Sequence, residues 1–152
     1  MTRVAAIDCG TNSIRLLVAD GHIDENGRPQ LADLTRQMRI VRLGQGVDAR
    51  GYLDPAAIER TVEAVVEYQR MIEALGATST RFVATSATRD ASNSADFVRQ
   101  IKAIIGVEPE VVVGTEEASL SFNGAVSGLG ESVTAPMLVV DIGGGSTELV
   151  LG

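Results

Sequence analysis

Apolar positions along the chain follow two periods. Val4–Ile7 and Ile14–Ala19 are short apolar runs on either side of the polar segment Asp8-Cys-Gly-Thr-Asn-Ser13, which predicts strand, hairpin, strand. Gly21 to Pro29 predicts a second turn region, and Gln30 to Leu43 a long strand. Gly44, Gly46 and Gly51 then mark a loop. From Asp54-Pro55 the period becomes helical. Asp54 suits an N-cap, Pro55 the first helical position, and Ile58, Val62, Val65, Ile72 and Leu75 form one apolar face ending at a Gly76 cap.

The remainder alternates. Arg81–Thr85 predicts a buried strand, and Ser86 to Asn93 a polar loop. A helix capped by Ser94 follows, with Phe97, Ile101 and Ile104 inward. Pro109–Val113 predicts a strand, and Thr115 the N-cap of a third helix reaching about Ala125. After a loop over Gly128 to Pro136 come a strand at Met137–Val140, the turn Gly143-Gly-Gly145 and a last strand from Thr147 to Leu151. Strands alternating with helices imply an α/β fold with a mixed sheet and flanking helices. The closing strand–turn–strand echoes the opening one, with Asp8 and Asp141 at corresponding places 133 positions apart. The echo predicts two related units, one over residues 1–125 and the first hairpin of a second, similar one over 126–152. A strand pair alone is marginally stable, so the 152 residues read as a truncated piece of a longer protein or a fragment dependent on partners.

Composition narrows the function. Aromatic residues are 3% of the chain, and Trp is absent, which argues against base stacking on single-stranded nucleic acid. The net charge of −7 argues against a generic nucleic-acid or anionic-membrane surface. All of that excess lies after Lys102, where seven acids and no Lys or Arg occur. One Cys (Cys9) and one His (His22) cannot form a disulfide or a usual zinc site. Cys9 reads as a small buried filler and His22 as a turn residue. No signal-peptide segment or long apolar run is present, so the expectation is a soluble cytoplasmic protein.

Four segments carry candidate chemistry. Asp8–Ser13 offers backbone N–H groups and short hydroxyl side chains, a nest suited to phosphate oxygens, with Asp8 a hard ligand for Mg²⁺. An ordinary tight hairpin explains the same residues. Asp141-Ile-Gly-Gly-Gly-Ser-Thr-Glu148 removes three Cβ atoms between apolar strands, so a ligand can approach the backbone. A strand, not a helix, follows these glycines, which disfavours a dinucleotide site. Glu116 and Glu117 open a helix, where acids complement the dipole; either could also act as a carboxylate base. Arg89, in Ala84-Thr-Ser-Ala-Thr-Arg89, and Arg15 could clamp phosphate or be solvated surface charges.

Taken together, the motifs AIDCGTNSIRLLVAD, ATSATRDASN, GTEEA and VVDIGGGSTELVLG resemble the N-terminal half of the exopolyphosphatase / guanosine pentaphosphate phosphohydrolase (Ppx/GppA) family. That family lies in the ribonuclease-H-like superfamily of actin, sugar kinases and heat-shock chaperones. The resemblance implies two such domains with a cleft between them. It implies that Gly10, Thr11, Asn12 and Ser13 form one phosphate loop and Gly143, Gly144, Gly145 and Ser146 the other. Arg15 and Arg89 would hold phosphate oxygens, and Asp141, with Asp8 close by, would bind Mg²⁺. Glu117 aligns with the catalytic acid and Glu148 with a second functional acid. The implied reaction is release of terminal orthophosphate from inorganic polyphosphate. The alternatives are the 5′ phosphate of guanosine pentaphosphate as substrate, a guanosine tetra- or pentaphosphate binder with little turnover, and a sugar- or acetate-kinase relative. No nucleic-acid or membrane partner is expected, and a homodimer is left open.

Overall fold

A computed structural model describes residues 2–25, 27–127, 129 and 134–152. Three strands open the chain: β1 (Thr2–Cys9), β2 (Ser13–Ile23) and β3 (Pro29–Ile40). A short α1 (Val47–Arg50) precedes α2 (Pro55–Leu75), β4 (Ser79–Ala84), the one-turn α3 (Ser86–Arg89), α4 (Ser94–Ile105) and β5 (Glu110–Val111). Then come α5 (Gly114–Ser127), β6 (Leu138–Ile142) and β7 (Thr147–Leu151). The sheet order is β3-β2-β1-β4-β5, with β1 antiparallel to β2 and parallel to β4. β6 and β7 form a separate antiparallel pair, against which α5 packs.

Alternation sorts β1 and β2 into two faces. Ala5, Ile7 and Cys9, with Ile14, Leu16 and Val18, point to the side covered by α2 and α4, and Phe82 and Ala84 of β4 join them. Ala6, Asp8, Arg15 and Leu17 point the other way. The buried face of α2 is Ala57, Thr61, Ala64, Val65, Tyr68 and Ile72. The expected face included Ile58, Val62 and Leu75, which lie at the border of the core, half-buried. The rotation follows from close approach, since alanines at the centre let the helix sit near the sheet. The Tyr68 hydroxyl donates to the Ile14 carbonyl at 3.1 Å. Asp54 accepts from the Ala56 N–H and Gly76 ends the helix at φ 70°, both as expected.

Several local expectations are corrected. The segment from Ser86 begins with a helical turn, α3, rather than a loop. Ser94 is the first residue of α4, not its cap. Asn93 stands at the cap position, and its amide bonds the Leu53 N–H at 2.8 Å and the Leu53 carbonyl at 3.0 Å instead of capping. α5 starts at Gly114, before Thr115, because the Val113 carbonyl accepts from both Glu116 and Glu117 N–H groups. His22 lies in β2, which runs on to Ile23, so the turn is shorter than 21–29. β3 ends at Ile40, and β5 is confined to two residues. Residues 128 and 130–133 of the expected 128–136 loop lie outside the described residues.

Candidate active site

The first hairpin joins β1 to β2 and closes with Gly10 N–H donating to the Ser13 carbonyl at 3.0 Å. The second joins β6 to β7 and closes in the same way, Gly143 N–H to the Ser146 carbonyl at 2.9 Å. The chain beyond β3 buttresses the first. Val41 and Arg42 N–H groups take the Asn12 carbonyl, and Gly44 N–H takes the Thr11 carbonyl at 2.8 Å. With those two acceptors occupied from outside, the hairpin offers hydroxyl and amide groups to its other side.

The hairpins meet face to face. A Cβ on Gly144 would stand 2.7 Å from the Asn12 Cβ, and one on Gly145 would stand 2.6 Å from Thr11 Oγ1 and 2.8 Å from Ser86 Oγ. Glycine is required there by close approach. Between the hairpins lies a cavity of about 220 Å³. Gly10 to Ser13 and Gly143 to Ser146 line it, as do Asp8, Arg15, Glu117, Asp141 and Glu148. The structure thus gathers the candidates of the sequence reading except Glu116, which pairs with Arg81 at 3.4 Å, and Arg89. The Arg89 guanidinium donates to the Val112 carbonyl at 3.0 Å and stands 3.7 Å from Glu117, so it sits behind the carboxylate.

Four carboxylates share the cavity lining with one arginine. Burial, the Asp141 charge and, in opposition, Arg15 act on Asp8, and burial wins, so its pKa is raised. Glu117 is also raised, first by burial and then by Glu148, with Arg89 opposing and Asp8 and Asp141 adding to the rise. The Glu117 side chain is 18% exposed, and its Oε2 is buried without a hydrogen-bond partner. That oxygen is the one turned toward Arg89, whose Nη1 stands 3.7 Å away, beyond hydrogen-bond distance. Cys9 is buried, and burial pushes its thiol well above the usual range, consistent with a filler.

Two polar residues escaped the sequence reading. Ser121 Oγ donates to Asp141 Oδ2 at 2.7 Å, fixing that carboxylate from α5. Its signal was available, since Ser121 lies four residues after Glu117 and so on the same helix face. Ser86, at the start of α3, lines the cavity and bonds Thr11.

Two similar hairpins closing on a set of carboxylates, the first of them carried by a five-stranded mixed sheet, give an actin-like α/β fold. Comparison with known proteins agrees. The chain belongs to the Ppx/GppA phosphatase family, which it matches over residues 21–152. It is 52% identical to Exopolyphosphatase 2 of Mycobacterium tuberculosis, over 100% of this chain and 49% of that protein. It is 35% identical to a bifunctional 3-dehydroquinate synthase/phosphatase of Fusobacterium nucleatum, over 97% of this chain and 23% of that one. Among solved structures, a Ppx/GppA protein of Aquifex aeolicus superposes with a TM-score of 0.81 at 33% identity, covering 99% of this chain and 47% of that one. The ethanolamine utilization protein EutJ of Carboxydothermus hydrogenoformans shares the fold at 21% identity and TM-score 0.52. The chain spans about half the length of the Mycobacterium relative.

Proposed function

We propose that the protein carrying this chain is a Mg²⁺-dependent exopolyphosphatase that releases terminal orthophosphate from inorganic polyphosphate. The observation that carries this reading is the Glu117 carboxylate, 18% exposed and set on the wall of a cavity bounded by both hairpins. Hydrolysis of a phosphoanhydride needs positioning, charge neutralisation and an aligned water more than covalent chemistry. In this reading the hairpins and Arg15 hold the terminal phosphate, and Glu117 accepts a proton from the attacking water. The raised proton affinity of Glu117 suits a base working near neutral pH. Arg89 and Glu148 act on Glu117 in opposite senses and tune it.

The donor set fits Mg²⁺. Among the described residues no group of three or more His, Cys, Asp or Glu side chains is arranged to hold a metal ion. Mg²⁺ is ordinarily held by one or two carboxylates together with waters and substrate phosphates. Asp141 and Asp8 are the pair that would hold it, and the ion would supply charge neutralisation at the phosphate. Among the described residues no helix is long and apolar enough to cross a membrane.

A second reading, guanosine pentaphosphate as substrate, is favoured by a wider groove of about 620 Å³ that shares Asp8, Arg15, Thr85, Glu117 and Asp141 with the phosphate cavity. One register row of the sheet runs Arg36, Leu17, Ala6, Arg81, and the next runs Met38, Arg15, Asp8, Val83. Leu17, Ala6, Met38 and Val83 make an apolar floor beside the phosphate end, with Arg36 and Arg81 at its flanks. Polyphosphate has no apolar part to place there; a nucleoside has. Orthophosphate release by the full-length protein with Mg²⁺, from polyphosphate and from guanosine pentaphosphate in parallel, separates the readings. Release from neither substrate refutes both.

A further inference from the structure

The sequence singled out Thr11 but not its partner. Ser86 lies 75 positions away, is 6% exposed, and places its Oγ 2.8 Å from Thr11 Oγ1 on the wall of the 220 Å³ cavity. Neither hydroxyl has another hydrogen-bond partner among the described residues. Each hydroxyl has one proton to give and two lone pairs to accept with. The bond between them uses one proton, so one O–H remains unspent whichever residue donates. The Cβ-free Gly145 of the second hairpin fits against this pair, since any Cβ there would stand 2.6 Å from one oxygen and 2.8 Å from the other. The pair is therefore the point at which the first hairpin, the start of α3 and the second hairpin converge.

Four carboxylates line the same cavity, with Arg15 the one cation. A phosphate held there needs neutral donors as well as charge compensation. We infer that Ser86 is a positioning residue of the phosphate site: its hydroxyl fixes the Thr11 hydroxyl at the junction of the hairpins, so that the unspent proton of the pair is given to a phosphate oxygen. This rests on reading the two hairpins as phosphate loops. A hydroxyl pair that only closed a local gap would affect folding and leave phosphate affinity unchanged.

Calorimetric titration of the full-length protein with inorganic phosphate, without any turnover, tests it. One hydrogen bond to a charged group predicts that Ser86→Ala weakens phosphate binding by tenfold or more. Thr11→Val weakens it by a similar factor, and the double variant is no weaker than either single one, because the two residues act as a unit. Should Ser86→Ala not fold, Gly145→Ala reads the same contact, because its methyl group must part the pair. Phosphate affinity unchanged in Ser86→Ala or Gly145→Ala, or multiplying losses in the double variant, overturns the inference. An unaltered protein that fails to bind phosphate overturns the phosphate-loop reading beneath it, which distinguishes the two failures.

Discussion

Asp141 stands directly opposite Glu148 in the β6–β7 ladder, the place that Arg15 fills opposite Asp8 in β1–β2. The two hairpins repeat in backbone and differ in charge. Where the first pairs an acid with a base, the second puts two acids side by side. Like charges opposed in a ladder are unfavourable on their own, so this arrangement makes sense when something cationic joins it.

Removal of divalent ions is therefore expected to abolish phosphate release, and added Mg²⁺ to restore it. Asp141→Asn is expected to raise the Mg²⁺ concentration needed for half-maximal rate, as read by titrating the ion. An Asp141→Asn protein with an unchanged Mg²⁺ requirement would remove Asp141 from the proposed ligand pair.

The proton affinity of Glu117 should respond to its neighbours with predictable sign. Glu148 raises it and Arg89 lowers it. If Glu117 must be ionised to act, the acid limb of the rate profile sits at higher pH than an unperturbed glutamate would place it. Glu148→Gln should move that limb to lower pH, and Arg89→Met to higher pH, whatever either does to the maximal rate. Movement of both limbs in the same direction would contradict the electrostatic account.

The same raised affinity has a stability consequence. A carboxyl that holds its proton more tightly when folded contributes stability below its unfolded pKa, and that contribution is lost as pH rises through the folded value. Glu117→Gln should thus be more stable than the parent at neutral pH. The advantage should vanish as pH falls below the ordinary carboxylate range, as measured by thermal melting across pH.

Gly44 is packed against the first hairpin so closely that a Cβ there would stand 2.2 Å from Thr11 Cγ2 and 3.2 Å from the Ala87 Cβ. Gly44→Ala is expected to cost about 1–3 kcal/mol by overpacking. It should also weaken phosphate binding, because the displaced residue belongs to the hairpin. Denaturant unfolding and phosphate titration of the same variant read the two effects.

Asn93 does not line the cavity, and its bonds to Leu53 make it a test of the fold. Its amide satisfies both the N–H and the carbonyl of Leu53, a residue with no exposure. Asn93→Ala should cost about 1–3 kcal/mol by leaving those groups unpaired. Asn93→Asp should not recover it, since a carboxylate cannot donate to the Leu53 carbonyl.

The fold was legible where pattern and punctuation coincided. Asp54-Pro55 and Gly76 bracketed α2 because caps and φ demands are local. The two hairpins were legible because each Asp and glycine cluster followed an apolar strand. Less local features were not. α3 is one turn long and has no period to read. The buried centre of α2 relies on Ala57, Thr61 and Ala64, which carry little hydrophobic signal. A one-residue irregularity opposite Val18 and Ala19 shifts the β2–β3 register, so simple alternation cannot predict both ends of β3. Ser86 and Ser121 matter only through partners distant in sequence, and Arg89 turned out to stand behind Glu117 rather than on the cavity wall.

The central claim is that Glu117 handles the proton of the attacking water while the hairpins hold the phosphate. Glu117→Gln in the full-length protein, assayed with polyphosphate and Mg²⁺ and titrated with inorganic phosphate, tests it most directly. The account predicts a fall in phosphate release of about 10²-fold or more with phosphate affinity preserved. A Glu117→Gln protein that releases phosphate at the parent rate would contradict it.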